Sequence, residues 1–225
     1  MAAGVLVAGG TGALGAAVVK ELVASGRQVA ATWIVDAERE RLEGMDGVEL
    51  IRADLFDPGE AEAAVAAVSD ITAVVNVVGG YAQSGRVHEA DPEEFDRLMR
   101  LNLRPNVLLA RAAVPHFLRR GGGAFVAVSA RAALRPFAGA APYVVAKAAV
   151  LSFVQALDVE YRHEGIRANA VLPSVIDTPA NRAAQPDADY SKWVAPEAIA
   201  KVIRFLASDE SAPTSGAAVP VYGRA

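Results

Sequence analysis

The feature that most restricts how this chain can fold is an alternation. Short apolar runs recur along it: GVLVAGG, RQVAATWIV, VELIRADL, ITAVVNVVGG, GAFVAVSA, IRANAVLP and AAVPVYG. Between them lie segments with helical patterning. ALGAAVVKELVASG is closed by Gly26, Ala37 to Leu42 is short and charged, and PGEAEAAVAAV has Pro58 near its start. Asp91 can cap a long helix with Pro92 in its first position, APYVVAKAAVLSFVQALDVEYRHEG stops at Gly165, and Pro196 to Ser208 closes the series. Asp as N-cap, Pro at N1 and Gly past the end are helix punctuation with a mechanism: a carboxylate for free N–H groups, a residue needing no N–H, and a residue free to turn left-handed. Nearly continuous apolar strands are buried on both faces, and parallel strands need crossover-length connections. The expected fold is therefore α/β: a doubly wound, seven-stranded parallel sheet with helices on both faces.

A chain of 225 residues suits one such domain, 1–225, and 53% hydrophobic with 21% charged residues supplies a large core. A net charge of -4 gives no basic footprint for nucleic acid. The absence of Cys excludes disulfides and a thiol nucleophile and fits a reducing cytoplasm. His88, His116 and His163 are scattered without ligand spacing, so no metal site is expected. Val5 to Ala8 is too short and too early for a signal peptide, and no run approaches a membrane span, so no membrane partner is expected. Residues 174–194, rich in Pro, Asp and Asn, read as a long loop or lid in which Asn181, Tyr190 and Trp193 are possible substrate contacts.

GGTGALG at 9–15 follows the first strand and opens the first helix. Small residues at Gly9, Gly12 and Gly15 allow a pyrophosphate to approach the backbone at a helix N-terminus, where free N–H groups and the helix dipole favour an anion. Asp54, after the third strand, is placed to meet an adenine, and Asn76 and Gly79 end the fourth strand beside the ligand crevice of such a sheet. Cofactor choice is read near the end of the second strand, where Trp33 stands in place of an acid or an Arg. Asp36 can serve as the acid, and Arg39 or Arg41 can reach a 2′-phosphate from the next helix. With no basic residue in the glycine loop, the reading is NAD(H) or NADP(H) with a lean to NAD(H).

The stretch SARAALRPFAGAAPYVVAK, from Ser129 to Lys147, carries the chemistry. Tyr143 and Lys147 are one helical turn apart on one face. An ammonium near a phenol favours the phenolate and brings proton exchange towards neutral pH. Ser129 can hydrogen-bond the same substrate oxygen.

These motifs together resemble the short-chain dehydrogenase/reductase family along nearly the whole chain: GGTGALG, NVVGG, RLNL around Asn102, Ser129, YVVAK and IRANAVLPSVIDTP. The resemblance implies a Rossmann-type fold and hydride transfer between a nicotinamide and a small carbonyl or alcohol substrate. It implies Tyr143 as acid/base, Lys147 tuning it and holding the ribose, Ser129 orienting the substrate oxygen, and Asn102 supporting a water relay. The implied cofactor contacts are Gly9, Thr11, Gly12, Ala13, Leu14, Gly15, Trp33, Asp54, Leu55, Asn76, Val77, Gly79, Tyr143, Lys147, Pro173, Val175, Ile176 and Thr178. The pattern departs from the family at Ala8 and Ala13 in the glycine motif, at NVVG where NNAG is usual, and at Pro173-Ser174. Two segments, GGTGALG and VLPSVIDTPANRAAQPDADYSKW, are similar to dihydropteridine reductase, a type that does not keep the Ser; Ser129 favours an ordinary carbonyl. A quinonoid or pteridine reductase and a non-catalytic dinucleotide sensor stand as alternatives. A homodimer or homotetramer is expected from the family and from apolar residues on the long helices, namely Leu108, Leu109, Ala112, Val150, Phe153 and Leu157.

Overall fold

The computed structural model describes residues 4–225. Seven parallel strands form one sheet: β1 (Gly4–Ala8), β2 (Gln28–Trp33), β3 (Val48–Arg52), β4 (Ile71–Asn76), β5 (Gly123–Val128), β6 (Ile166–Pro173) and β7 (Ala218–Val221). Their order is β3-β2-β1-β4-β5-β6-β7. The helices are α1 (Ala13–Ala24), α2 (Asp36–Arg39), α3 (Pro58–Ala66), α4 (Pro92–Arg120), α5 (Ala141–Tyr161), α6 (Pro179–Ala184) and α7 (Pro196–Leu206).

The period of two along each strand sorts the core into two layers. Val5 and Val7 of β1 pack with α1 and α7, among Val18, Val19, Leu22, Ile199 and Ile203. Leu6 and Ala8 face the opposite layer, with Leu109, Phe117, Val150 and Val154 of α4 and α5. Burying a side chain such as Leu109 stabilises by about 1.5–3 kcal/mol relative to leaving it exposed. A doubly wound sheet is thus a direct consequence of strands apolar on both sides.

The punctuation works as predicted. Asp91 accepts from the Glu93 N–H at 3.0 Å and Pro92 opens α4. Gly26 and Gly165 lie just past helical ends in left-handed backbone. Three expectations change. The short charged helix after β2 runs Asp36–Arg39, one turn only. Residues 174–194 are a folded excursion rather than a loop, containing α6 and a 3-10 turn at Tyr190–Lys192. Ile176 pairs with Val194, and the Asp177 N–H donates to the Val194 carbonyl at 2.8 Å, which fastens the two ends together.

The third change concerns apolar surface. Leu108, Leu109, Val150 and Leu157 are buried in the core and Ala112 and Phe153 are partly buried against it, while Val107 and Leu118 of α4 and Val145 and Val159 of α5 are exposed apolar residues of the long helices. α5 together with the turn that follows it is also long and apolar enough to cross a membrane by length and composition. Its apolar side is used against α4 and β6.

Candidate active site

The strand order reverses between β1 and β4, whose C-terminal ends open a crevice of the kind where ligands bind in such sheets. The glycine loop lies there. Gly9 takes φ +73°, a conformation L side chains resist, and its N–H donates to Thr32 Oγ1 at 2.9 Å. Thr32, 1% exposed on β2, therefore pins the loop, a role the sequence reading missed. Gly15 serves space: a Cβ there would stand 2.1 Å from the Gly9 carbonyl oxygen, so α1 seats directly on the loop. Gly12 is the open member, with only the Gly9 carbonyl, at 3.4 Å, near a would-be Cβ. Helix geometry leaves the N–H groups of Ala13, Leu14 and Gly15 without intrahelical partners, and α1 has no side-chain cap. An anion has a place here.

Arg41 supplies what the glycine loop lacks. Its guanidinium donates to the Thr11 carbonyl at 2.7 Å and pairs with Glu38 at 3.0 Å. Arg39 lies 5.5 Å over the Trp33 ring. The premise that no basic residue serves this end is thereby corrected, and with it the ground for leaning to NAD(H). The short α2 lets Arg41 turn back to the loop, while Arg39 stays over Trp33 and pairs with Glu43 at 2.8 Å. Asp36, in the first turn of α2, is exposed. A cleft of about 410 Å³ joins Ala13, Arg41 and Thr178 with Lys20 and Glu197.

Asn76 is 1% exposed; its Oδ1 accepts from the Val78 N–H at 3.0 Å, and its Nδ2 is left without a partner. An orphaned buried donor beside the crevice fits a polar ligand group, and with the open Gly12 and the free helix N–H groups it makes the residues present compatible with a dinucleotide. Asp54 is exposed at the sheet edge, its Oδ1 accepting from the Phe56 N–H at 3.0 Å. Leu55 belongs to the core, so it has only backbone to offer, and Val77 packs against the other apolar layer. Pro173 ends β6, followed by Val175 and Ile176. Thr178 caps α6 through the Asn181 N–H at 3.2 Å. Asn181, Tyr190 and Trp193 are used within the excursion. The Asn181 amide donates to the Ile176 carbonyl at 2.8 Å, and the Tyr190 ring packs on Trp193 at 4.7 Å.

α5 carries Tyr143 and, one turn on, Lys147. Lys147 is 6% exposed and its Nζ donates to the Val128 carbonyl at 3.0 Å. Burial pulls its pKa down to about 8. Burial, and secondarily the neighbouring Tyr81, pushes the Tyr143 phenol up to about 12. The phenol is raised here rather than lowered as expected, because burial disfavours the phenolate. Tyr143 is a protonated group at neutral pH and suits proton donation.

Ser129 differs from expectation. Its hydroxyl donates to the Lys147 carbonyl at 2.8 Å, and the residue is 2% exposed. It ties the end of β5 to α5 and does not present its proton to the crevice. Successive side chains at a strand end face opposite ways, so one residue of offset decides this, and the next residue is Ala130. Asn102 is held by three backbone hydrogen bonds. Its Nδ2 donates to the Gly80 and Leu98 carbonyls at 3.1 and 3.0 Å, while its Oδ1 accepts from the Gly80 N–H at 3.1 Å. It clamps the Gly79-Gly80 turn beside Lys147.

Comparison with known proteins matches this geometry. The family profile described as enoyl-(acyl carrier protein) reductase matches residues 9–223. The chain is 33% identical to 2-(R)-hydroxypropyl-CoM dehydrogenase of Xanthobacter autotrophicus, covering 97% of this chain and 96% of that protein. A short-chain type dehydrogenase/reductase from Mycobacterium ulcerans superposes with TM-score 0.92 at 26% identity, covering 99% of this chain and 89% of that one. ElxO, solved with NADP bound, superposes with TM-score 0.91 over 99% of this chain and 98% of its own; at 21% identity this is a likeness of fold.

Proposed function

We propose, for a chain that belongs to the short-chain dehydrogenase/reductase family and is an oxidoreductase, that it interconverts a small carbonyl and its alcohol, with Tyr143 as proton donor in the reductive direction. The observation that carries this is the Tyr143–Lys147 pair on α5, with Lys147 anchored to the end of β5 and Tyr143 protonated at neutral pH. The family binds NAD or NADP, and a bound nicotinamide supplies or accepts the hydride. The glycine loop, the first turn of α1 and Asn76 are the residues that would hold the dinucleotide. Arg39 and Arg41 form a basic edge at the adenosine end and favour NADP(H). Tyr143 gives its proton to the oxygen on which charge develops. Lys147 remains mostly an ammonium at pH 7 and compensates the phenolate left behind. The 2-(R)-hydroxypropyl-CoM dehydrogenase relative is named for an alcohol oxidation, which agrees with this chemistry.

A second reading, reduction of a quinonoid dihydropterin, gains support from Ser129. The hydroxyl that favoured an ordinary carbonyl is committed to the Lys147 carbonyl. The test is turnover of NADPH and NADH, followed by absorbance, across a carbonyl panel that includes quinonoid dihydropterin. Tyr143→Phe is expected to cut turnover by at least about a hundredfold with cofactor affinity unchanged. Arg41→Ala is expected to weaken NADPH more than NADH. Full activity in Tyr143→Phe would defeat the assignment; tight cofactor binding without turnover of any compound would make the protein a sensor.

A further inference from the structure

We infer that Tyr81 is a specificity-determining residue: an aromatic wall that selects substrates whose reducible group belongs to, or is conjugated with, a flat ring. The inference rests on the carbonyl-reductase reading of the same site and names its substrate class. Tyr81 lies edge-on to the Tyr143 ring, with centroids 5.0 Å apart and planes at 87°. Half of Tyr81 (51%) is exposed, so it adds little to the core.

Its backbone is nevertheless held on both sides. Asn102 grips Gly80 immediately before it by both the N–H and the carbonyl. Three residues later, the Ser84 N–H donates to the Gly139 carbonyl at 2.8 Å, joining this segment to the one that leads into α5. Gln83 lies against Gly139, where a Cβ would meet its Nε2 at 3.2 Å. The Tyr81 hydroxyl donates to the Gln83 Oε1 at 3.3 Å.

A ring that contributes little burial, but whose backbone is tied on both sides next to the proton donor, is placed to present its surface. A flat substrate stacked on Tyr81 stands perpendicular to the Tyr143 ring. An offset-stacked pair of rings gains several-fold in affinity beyond simple burial. A saturated ring of the same size loses that gain and also its flat fit.

The test compares wild type, Tyr81→Phe and Tyr81→Ala on benzaldehyde and cyclohexanecarbaldehyde. A binding arm compares 2-naphthol and 2-decalol, neither of which can accept a hydride, by ligand-observed saturation-transfer NMR in the presence of reduced cofactor. Tyr81→Ala is expected to raise KM for benzaldehyde, and Kd for 2-naphthol, by about three- to tenfold. The saturated partners, kcat and the cofactor Kd should change by less than about twofold, and Tyr81→Phe should behave as wild type. Equal losses on flat and saturated compounds would reduce Tyr81 to a structural role. A loss of cofactor affinity would give the ring to the nicotinamide instead. Wild type showing no preference for 2-naphthol would overturn the inference outright. If no carbonyl is turned over, the catalytic reading fails and the binding arm still decides this one.

Discussion

Gly79→Ala is a sharp probe of the site, because the geometry fixes where the added methyl goes. It would stand 2.7 Å from Asn102 Oδ1 and 3.0 Å from Lys147 Nζ. Gly79 is not among the residues with left-handed backbone, so alanine brings no conformational strain there and the cost is collision alone. Neither neighbour is a loose surface chain. Asn102 is fully buried and holds Gly80 and Leu98, and Lys147 is tied to Val128. Overpacking of this kind costs about 1–3 kcal/mol. For a chain of this size each kcal/mol moves Tm by about 2–4 °C, so a fall of roughly 2–12 °C is expected. The catalytic effect should be larger. A displacement of about 1 Å in a positioning group can cost on the order of a hundredfold in rate, and Lys147 lies one turn from Tyr143 on α5. The assay is kcat and KM on the best carbonyl of the panel, with a thermal melt and a circular dichroism spectrum to show that the fold persists. A variant with kcat within about twofold of wild type and an unmoved Tm would refute the idea that Asn102 and Lys147 are rigidly packed against this turn.

Two further outcomes follow from the same site. Burial holds the Lys147 ammonium at about 8, below its ordinary 10.5, so the unfolded chain keeps a proton that the folded one has lost between those values. Stability should therefore rise as pH climbs from about 8 to 10.5, by on the order of 3 kcal/mol, and a chemical-denaturation series on wild type and Lys147→Met should show this rise only in the wild type. Ser129→Ala removes one buried hydrogen bond and should lower stability by about 1 kcal/mol and kcat by less than about tenfold. A donor to the developing oxyanion would cost about a hundredfold or more, and a loss of that size would return Ser129 to the substrate.

What the sequence by itself determined is whatever depends on short-range periodicity. Seven apolar runs separated by crossover-length helices imply a parallel sheet covered on both faces, since strands apolar on both sides need a layer against each. Asp91, Pro92, Gly26 and Gly165 marked helix ends, because caps and stops act within a turn of backbone. The four-residue step from Tyr143 to Lys147 placed both on one face of α5 for the same reason. Tertiary structure alone decided which partners those side chains meet. Arg41 reaches the Thr11 carbonyl across 30 residues, and Thr32 reaches the Gly9 N–H across 23. Asn102 closes on Gly80 across 22, and Ser129 on the Lys147 carbonyl across 18. Ser129 shows the limit most clearly. Its presence is plain in the sequence, but its direction depends on one residue of register at the end of β5 and on where α5 docks, and those are set by packing rather than by spacing. The same docking, which buries the phenol and the ammonium, put Tyr143 at about 12 and Lys147 at about 8, because desolvation is a property of the assembled core and not of a four-residue spacing.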